Sequence, residues 1–191
     1  MRKPSTSTVH SGNGRASPPK HFASRRESPH PTRKERKSPL NLLKHDDLHW
    51  NHFTGEAQFD YPISYWGSVL GARKDGHVDL LYRWDPHSAC HLHRHTAAIS
   101  SLVLEGELTV IDIDLETGEE AGRVVKPAGT WVHKEPGDVH IEVGGPEGAL
   151  VLFNLYAPNG SLVEGLAKDG RVLDHQTMEP ILKSQARRAA I

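Results

Sequence analysis

The segment 90–106, CHLHRHTAAISSLVLEG, decides the fold class of this chain because it combines alternating histidines with an aliphatic run. His91, His93 and His95 occupy every second position, and side chains two apart on a β-strand leave the same face. Neighbouring same-face positions are about 6.6 Å apart, so two such imidazoles are able to bind one metal ion at about 2.0–2.1 Å. The outer pair is about twice as far apart, so this strand is expected to supply two ligands.

Short apolar or alternating runs continue on both sides of this segment and are separated by turn residues such as Asp85-Pro86, Glu105-Gly106 and Pro136-Gly137. The predicted strands are 65–71, 77–84, 90–96, 99–104, 107–114, 121–125, 130–133, 139–143 and 148–156. Short strands at this spacing are typical of an all-β sandwich or barrel. The intervening segments have no helical pattern, which excludes a doubly wound α/β fold.

Composition divides the chain into four parts. Residues 1–38 contain ten basic and two acidic residues, a net +8, whereas the remainder contains 13 basic and 22 acidic residues, a net −9. The first part is rich in proline and poor in apolar residues, which predicts a disordered arm. Residues 39–64 are expected to form a helix or strand extension, 65–160 the barrel, and 161–191 a C-terminal extension with one short helix capped by Thr177.

The basic arm has three competing explanations: a tether to nucleic acid or another anionic surface, a transit peptide, or an extension with no role. Phe22 is the one aromatic residue of the arm, so its charges do not alternate with aromatic side chains, and the sequence does not favour a nucleic-acid partner. The chain has no apolar secretory signal and no apolar stretch of membrane-spanning length, so no membrane association is expected. The single cysteine, Cys90, fits a reducing cytoplasm, which is the predicted location.

A second histidine pattern occupies residues 129–140, GTWVHKEPGDVH, where His140 follows a Pro-Gly turn. Together the two segments resemble the cupin motifs G-x5-H-x-H-x(3,4)-E-x6-G and G-x5-P-x-G-x2-H-x3-N. The positions in register are His93, His95, Ile99 and Gly106 for the first motif, and Gly129, Gly137, His140 and Gly144 for the second. The resemblance implies a cupin barrel, which is a double-stranded β-helix or jelly roll, with His93, His95 and His140 as metal ligands.

Four departures from the motifs are informative. Ile99 replaces the usual glutamate ligand, His87 the opening glycine of the first motif, Glu135 the proline and Gly144 the final asparagine of the second. Because Ile99 is unable to bind a metal, the resemblance implies three histidine ligands. HRHTAAI and EPGDVH resemble the branch of 2,4'-dihydroxyacetophenone dioxygenase and the acetylacetone-cleaving dioxygenases. The cupin of ChrR-type anti-sigma factors keeps the glutamate and is less similar.

The resemblance implies a mononuclear non-haem metal dioxygenase that cleaves a C–C bond in a small diketone or hydroxyketone with O2. Fe(II) is the favoured metal by resemblance, although imidazole ligands also suit Zn, Mn, Ni and Cu. A homo-oligomer, dimer or tetramer, is expected. Two other functions stay open: a ligand- or metal-sensing regulatory module of the ChrR kind, and a cupin isomerase.

Three further residues are candidates for supporting roles. His91 is either a support for a metal ligand or part of a pocket wall. His133 is a candidate for proton transfer, with a rim histidine as the alternative. Glu135 is a candidate acid or hydrogen-bond partner of His140, with a solvated turn residue as the alternative.

Overall fold

The computed structural model describes residues 41–44, 48–55 and 63–189, which form ten β-strands and one α-helix. The arm predicted over residues 1–38 lies outside this described part. The elements are β1 (Asn51–Thr54), β2 (Ser64–Ala72), β3 (His77–Trp84), β4 (His93–His95), β5 (Ala98–Ile113), β6 (Glu120–Pro127), β7 (Trp131–Lys134), β8 (Val139–Tyr156), β9 (Ser161–Leu166), β10 (Val172–Thr177) and α1 (Met178–Ala189).

All ten strands belong to one curled antiparallel sheet, which confirms the all-β fold predicted from sequence. One path through the sheet runs β1-β2-β3-β8-β4-β9-β10, and β5 pairs with β6, β7 and β8 outside that path. The long strands β5 and β8 pair with each other along most of their length. Because β8 also pairs with β3 through its second half and with β4 through its first, it connects the two halves of the barrel.

The two long strands each replace two predicted strands. The predicted strands 99–104 and 107–114 form β5, and 139–143 and 148–156 form β8. The Glu105-Gly106 pair produces an irregularity within β5 and not a turn, because the register with β8 shifts there while pairing continues. Gly106 has φ 66° and its Cα lies so close to β8 that an added Cβ would be 2.2 Å from the Gly148 carbonyl oxygen. Only glycine fits there.

The segment before β1 and the C-terminal segment differ in whether they form the helix that the sequence suggested. A hydrogen-bonded turn joins Lys44 N–H to the Asn41 carbonyl, and no helix occurs in the described residues before β1. The short C-terminal helix is confirmed as α1, which begins directly after Thr177. Strand β9, beyond the predicted barrel limit at residue 160, pairs with β4 and therefore contributes to the wall that carries the first histidines.

Inward-facing residues of β3, β5 and β8 form the hydrophobic core, with Val78, Val103, Leu108 and Val151 among the most deeply buried. Helix α1 contributes Met178, Ile181 and Leu182 to the same core. Truncation of one such aliphatic side chain to alanine typically costs about 2–5 kcal/mol. Within the described ranges no helix is long and apolar enough to cross a membrane.

Candidate metal site

Three buried histidines meet where β4 and β8 pair. His93 lies directly opposite His140 in the antiparallel register, and His95 leaves the same face of β4 two residues later. The three residues are 8%, 5% and 4% exposed, respectively. Cross-strand pairing and strand alternation therefore bring together side chains that are 45 and 47 residues apart in sequence, as the motif spacing predicted.

The three imidazole rings converge on one point. Ring centroids are 4.7 Å apart for His93 and His95, 4.6 Å for His93 and His140, and 5.0 Å for His95 and His140. One nitrogen from each ring lies within 4.8 Å of the other two. Three nitrogens that each lie about 2.0–2.1 Å from a shared ion are at most about 4.2 Å apart, so this spacing is close to the one that a shared ion requires.

Hydrogen bonds behind the rings orient the nitrogens. His93 Nδ1–H donates to the His91 carbonyl oxygen at 2.8 Å, and His140 Nδ1–H donates to Asp138 Oδ2 at 2.9 Å. Both partners accept only, so each Nδ1 carries the proton and each Nε2 presents a lone pair to the cluster. The Nε2 atom of His140 is buried with no hydrogen-bond partner, and His93 Nε2 lies 3.0 Å from His95 Nε2. This donor arrangement fits a divalent metal ion.

Burial keeps the first two histidines uncharged at neutral pH. Desolvation, reinforced by the nearby His140, lowers the pKa of His95 to about 3. The same causes lower the pKa of His93 well below its usual value. The pKa of Asp138 is lowered mainly by its hydrogen bond from His140, with Lys134 contributing a second. Metal ligation requires neutral imidazole, and these shifts hold the ligands in that form.

Two of the three histidines line a cavity of about 630 Å³. His93, His95, Ile99 and Glu142 are part of its lining, and His140 contacts the first two rings from the side of β8. Much of the remaining wall is aromatic: Phe53, Tyr65, Tyr82, Trp84 and Phe153. Burial raises the pKa values of Tyr65 and Tyr82, so both phenols remain protonated and are able to donate hydrogen bonds.

Of the other sequence candidates, His91 lies at the cavity, whereas His133 and Glu135 lie at the surface. His91 supports His93 through its backbone carbonyl, while its ring lines the cavity and its Nδ1 is 3.3 Å from the Tyr65 hydroxyl. His133 and Glu135 have side chains that are 46% and 81% exposed, and their closest atoms are 3.4 Å apart. Neither lines the cavity. Their geometry gives no support to a role in proton transfer, and the two remain sequence-based candidates only.

Glu142 is the residue near the cluster that the sequence reasoning missed. It is 6% exposed, follows His140 by two positions on β8 and lines the same cavity. Its pKa is raised by burial. The alternation in Val-His-Ile-Glu-Val would have indicated it, because a strand that directs His140 inward directs Glu142 inward as well.

Cys90, His93 and Glu142 also form a group with ligand atoms within 4.8 Å of one another. The His93 Nδ1 atom lies 3.7 Å from the Cys90 sulfur. That nitrogen already donates to the His91 carbonyl oxygen. The three-histidine cluster, whose His93 nitrogen carries a lone pair, is therefore the better metal site.

Two departures from the motifs have a structural basis. His87, at the position of the usual glycine, has φ 57° and is the one non-glycine residue with positive φ in the described part of the chain. The backbone thus keeps the left-handed conformation for which glycine is common. At Gly144 an added Cβ would be 2.7 Å from the Asp85 carbonyl oxygen, so the asparagine of the motif would not fit.

Comparison with known proteins identifies the fold. No protein-family model matches this sequence, and no curated protein matches it either. Among solved structures, a candidate acetylacetone dioxygenase from Methylibium petroleiphilum PM1 is 15% identical, with a TM-score of 0.56 over 81% of this chain and 98% of that chain. The acetylacetone dioxygenase from Acinetobacter johnsonii is 12% identical, with a TM-score of 0.53 over 83% of this chain and 96% of that one.

An RmlC-like cupin protein from Ralstonia eutropha JMP134 is similar to the same extent. It is 12% identical and superimposes with a TM-score of 0.56 over 80% of this chain and 88% of its own. At such identities the likeness concerns the fold. With its curled antiparallel sheet, this chain has a cupin fold, and it is similar in fold to the two acetylacetone dioxygenase structures.

Proposed function

We propose that this protein is a mononuclear metal-dependent dioxygenase that cleaves a C–C bond in a small diketone or hydroxyketone. The observation that carries the proposal is the orientation of the histidines. His93 and His140 use Nδ1–H on outward acceptors, and the bare Nε2 of His140 is buried without a partner. An unpartnered buried nitrogen is costly, and a metal ion bound there would satisfy it.

His93, His95 and His140 would hold the metal, and we favour Fe(II). A divalent ion held there would supply Lewis-acid catalysis and, if it is iron, the redox chemistry that reactions with O2 require. Three neutral imidazoles leave coordination positions open, as catalytic sites need. The likeness in fold to acetylacetone dioxygenases agrees with this chemistry.

The cavity walls would bind and orient the substrate. The protonated hydroxyls of Tyr65 and Tyr82 are hydrogen-bond donors for ketone oxygens. Phe153 and Trp84 contribute an apolar surface that excludes water from the reacting groups. The volume of about 630 Å³ lies in the range of cavities that enclose small organic ligands.

The direct test is metal analysis combined with an O2-electrode screen. The purified full chain is loaded anaerobically with Fe(II), and O2 uptake is followed with acetylacetone, longer β-diketones and hydroxyacetophenones. We expect one iron per chain and one O2 consumed per substrate cleaved, with both lost in His140→Ala. A chain that binds no metal after reconstitution would overturn the proposal. Metal binding together with ligand binding but no O2 uptake would instead favour a sensing module or an isomerase.

A further inference from the structure

A second cavity, of about 360 Å³, lies next to the cavity at the histidines. The two cavities share part of their walls, because six residues line both of them: Phe53, Leu80, Tyr82, Leu155, Val163 and Gln176. The two cavities are therefore neighbours, and these six side chains lie at the boundary between them.

The paired strands β2 and β3 show that the second cavity continues the first along the barrel. On β3, Trp84 lines the first cavity, whereas Tyr82 and Leu80 line both. On β2, Tyr65 lines the first cavity and Val69 the second. Tyr65 pairs with Trp84 and Val69 with Leu80, so both strands pass from one cavity to the other in the same direction. Four residues of strand cover about 13 Å.

Strand β9 extends this wall from the metal site itself. Gly165 pairs with His93 and lines the first cavity, and Val163 pairs with His95 and lines both. Leu162, the next residue toward the start of β9, lines the second cavity. A ligand group that leaves the histidines along β9 therefore reaches the second cavity after about two residues of strand, or about 6.6 Å.

The lining of the second cavity is largely apolar, and helix α1 contributes Pro180 and Ile181 to it. Among the described residues that line it there is no Asp, Glu, Lys or Arg. The first cavity differs, because Glu142 and Asp174 are part of its wall. A cavity without charged walls favours an apolar group over a charged one, since burial of an unpaired charge is costly.

We propose that the second cavity binds a linear alkyl chain of the substrate, while the diketone or hydroxyketone end lies at the histidines. This inference rests on the proposed function and narrows its substrate class to ketones that carry an alkyl chain at one end. Protein interiors contain few voids larger than a water molecule, and an unfilled apolar cavity is destabilising. A bound hydrocarbon chain would fill this one.

A ligand series of increasing length tests the proposal by binding alone. The full chain, loaded anaerobically with Fe(II), is titrated calorimetrically with acetylacetone and with homologues in which one methyl group is replaced by a pentyl or a nonyl chain. Each methylene buried in an apolar cavity should lower the Kd about threefold. We therefore expect the pentyl homologue to bind at least about 30-fold more tightly than acetylacetone. Equal affinities would overturn the proposal.

Val69→Phe locates the alkyl chain, because Val69 lines the second cavity and not the first. The larger side chain should raise the Kd for the pentyl homologue at least about tenfold and leave the Kd for acetylacetone within about twofold. The matched control is Val124→Phe, at an exposed position of β6, which should change neither value. Equal effects of Val69→Phe on both ligands, or no effect, would contradict the assignment.

Ile181→Ala provides a test of opposite sign, which also serves if Val69→Phe does not fold. The smaller side chain enlarges the second cavity from the side of α1. The Kd ratio between the pentyl and nonyl homologues should therefore shift at least about threefold in favour of the nonyl chain. Thermal melting shows whether each variant is folded. A folded Ile181→Ala chain with the wild-type ratio would count against the alkyl site.

The outcomes separate this inference from the proposed function, and the titrations are repeated without metal for this purpose. O2 uptake with acetylacetone but no dependence of Kd on chain length would overturn the alkyl site and leave the dioxygenase proposal intact. A chain-length dependence that Val69→Phe abolishes, in a protein without O2 uptake on any ketone, would support the alkyl site and overturn the dioxygenase. A chain-length dependence unchanged in both variants would place the alkyl chain elsewhere and overturn the inference.

Discussion

The second motif contains two pairs of a histidine and a carboxylate that differ in almost every physical respect. His140 is 4% exposed and donates to Asp138, and its other nitrogen has no partner. His133 has a side chain that is 46% exposed, bonds Ser100 Oγ at 3.0 Å and lies 3.4 Å from a Glu135 that is 81% exposed. Solvent is able to screen the exposed second pair, whereas the imidazole of the first pair is almost completely shielded from it.

The difference shows that strand face, and not residue type, decides which histidine is available for chemistry. Along β7 the exposed residues are Trp131 and His133, so His133 faces outward. In the first five residues of β8, 139–143, the buried ones are His140 and Glu142, so both face the barrel interior. Side chains alternate on a strand, and one step in register would reverse these assignments.

The largest expected effect comes from removing an inner ligand. His93→Ala should reduce affinity for Fe(II) or Mn(II) by at least about 1000-fold, or about 4 kcal/mol, because the cluster loses one of its converging nitrogens. Isothermal titration with Mn(II) measures this effect. The matched control His133→Ala should bind metal like wild type. Equal losses of metal affinity in the two variants would show that burial does not distinguish the inner histidines from His133.

Acid should destabilise the metal-free protein through the inner histidines. The pKa of His95 is about 3 in the folded chain and about 6.5 in the unfolded chain. Between these values the unfolded state binds more protons, so the free energy of unfolding falls as pH falls from about 6.5 to about 3. The slope is up to about 1.4 kcal/mol per pH unit for His95, and His93 adds to it because its pKa is also lowered.

Urea denaturation of the metal-free protein at pH 7, 6 and 5 measures this slope. The His95→Gln variant should lose less stability over the same range, because it has no such histidine to protonate in the unfolded state. A variant with the wild-type slope would show that His95 is not held neutral by the fold.

A smaller effect is expected from the residue behind His140. Asp138→Asn keeps the shape of the side chain but weakens the acceptor that fixes the His140 tautomer. Metal affinity should fall about 10–100-fold, which is typical of partners behind a metal ligand. Competition with a chelator measures the affinity. Unchanged affinity would mean that His140 is oriented by the strand alone.

The smallest effect is expected at the surface pair. Glu135→Gln should change the free energy of unfolding by no more than about 0.5 kcal/mol and leave Mn(II) affinity within about twofold of wild type. Denaturation and titration on the same preparation measure both quantities. A tenfold loss of affinity would show that this exposed carboxylate contributes to metal binding, which its position at the surface does not predict.

Much of the barrel was predictable from the sequence because strand alternation and turn residues are local properties. The spacing of His93 and His95, and the Pro136-Gly137 turn before His140, predicted that these residues would meet, and the structure places them together. The helix after Thr177 followed from its cap and composition in the same way. Local periodicity and turn chemistry were sufficient at these positions.

Other features depended on contacts that no local pattern encodes. Gly106 indicated a turn. Instead β5 continues through this position, because it is paired with β8 on both sides of the irregularity. Ile99 indicated a site without a carboxylate. Strand alternation puts Glu142 on the same face as His140, but only the pairing of β8 with β4 shows that this face borders the cavity. The sequence thus determined which histidines meet. Only the tertiary structure decided which neighbours share their buried face, because that depends on the register between strands distant in the chain.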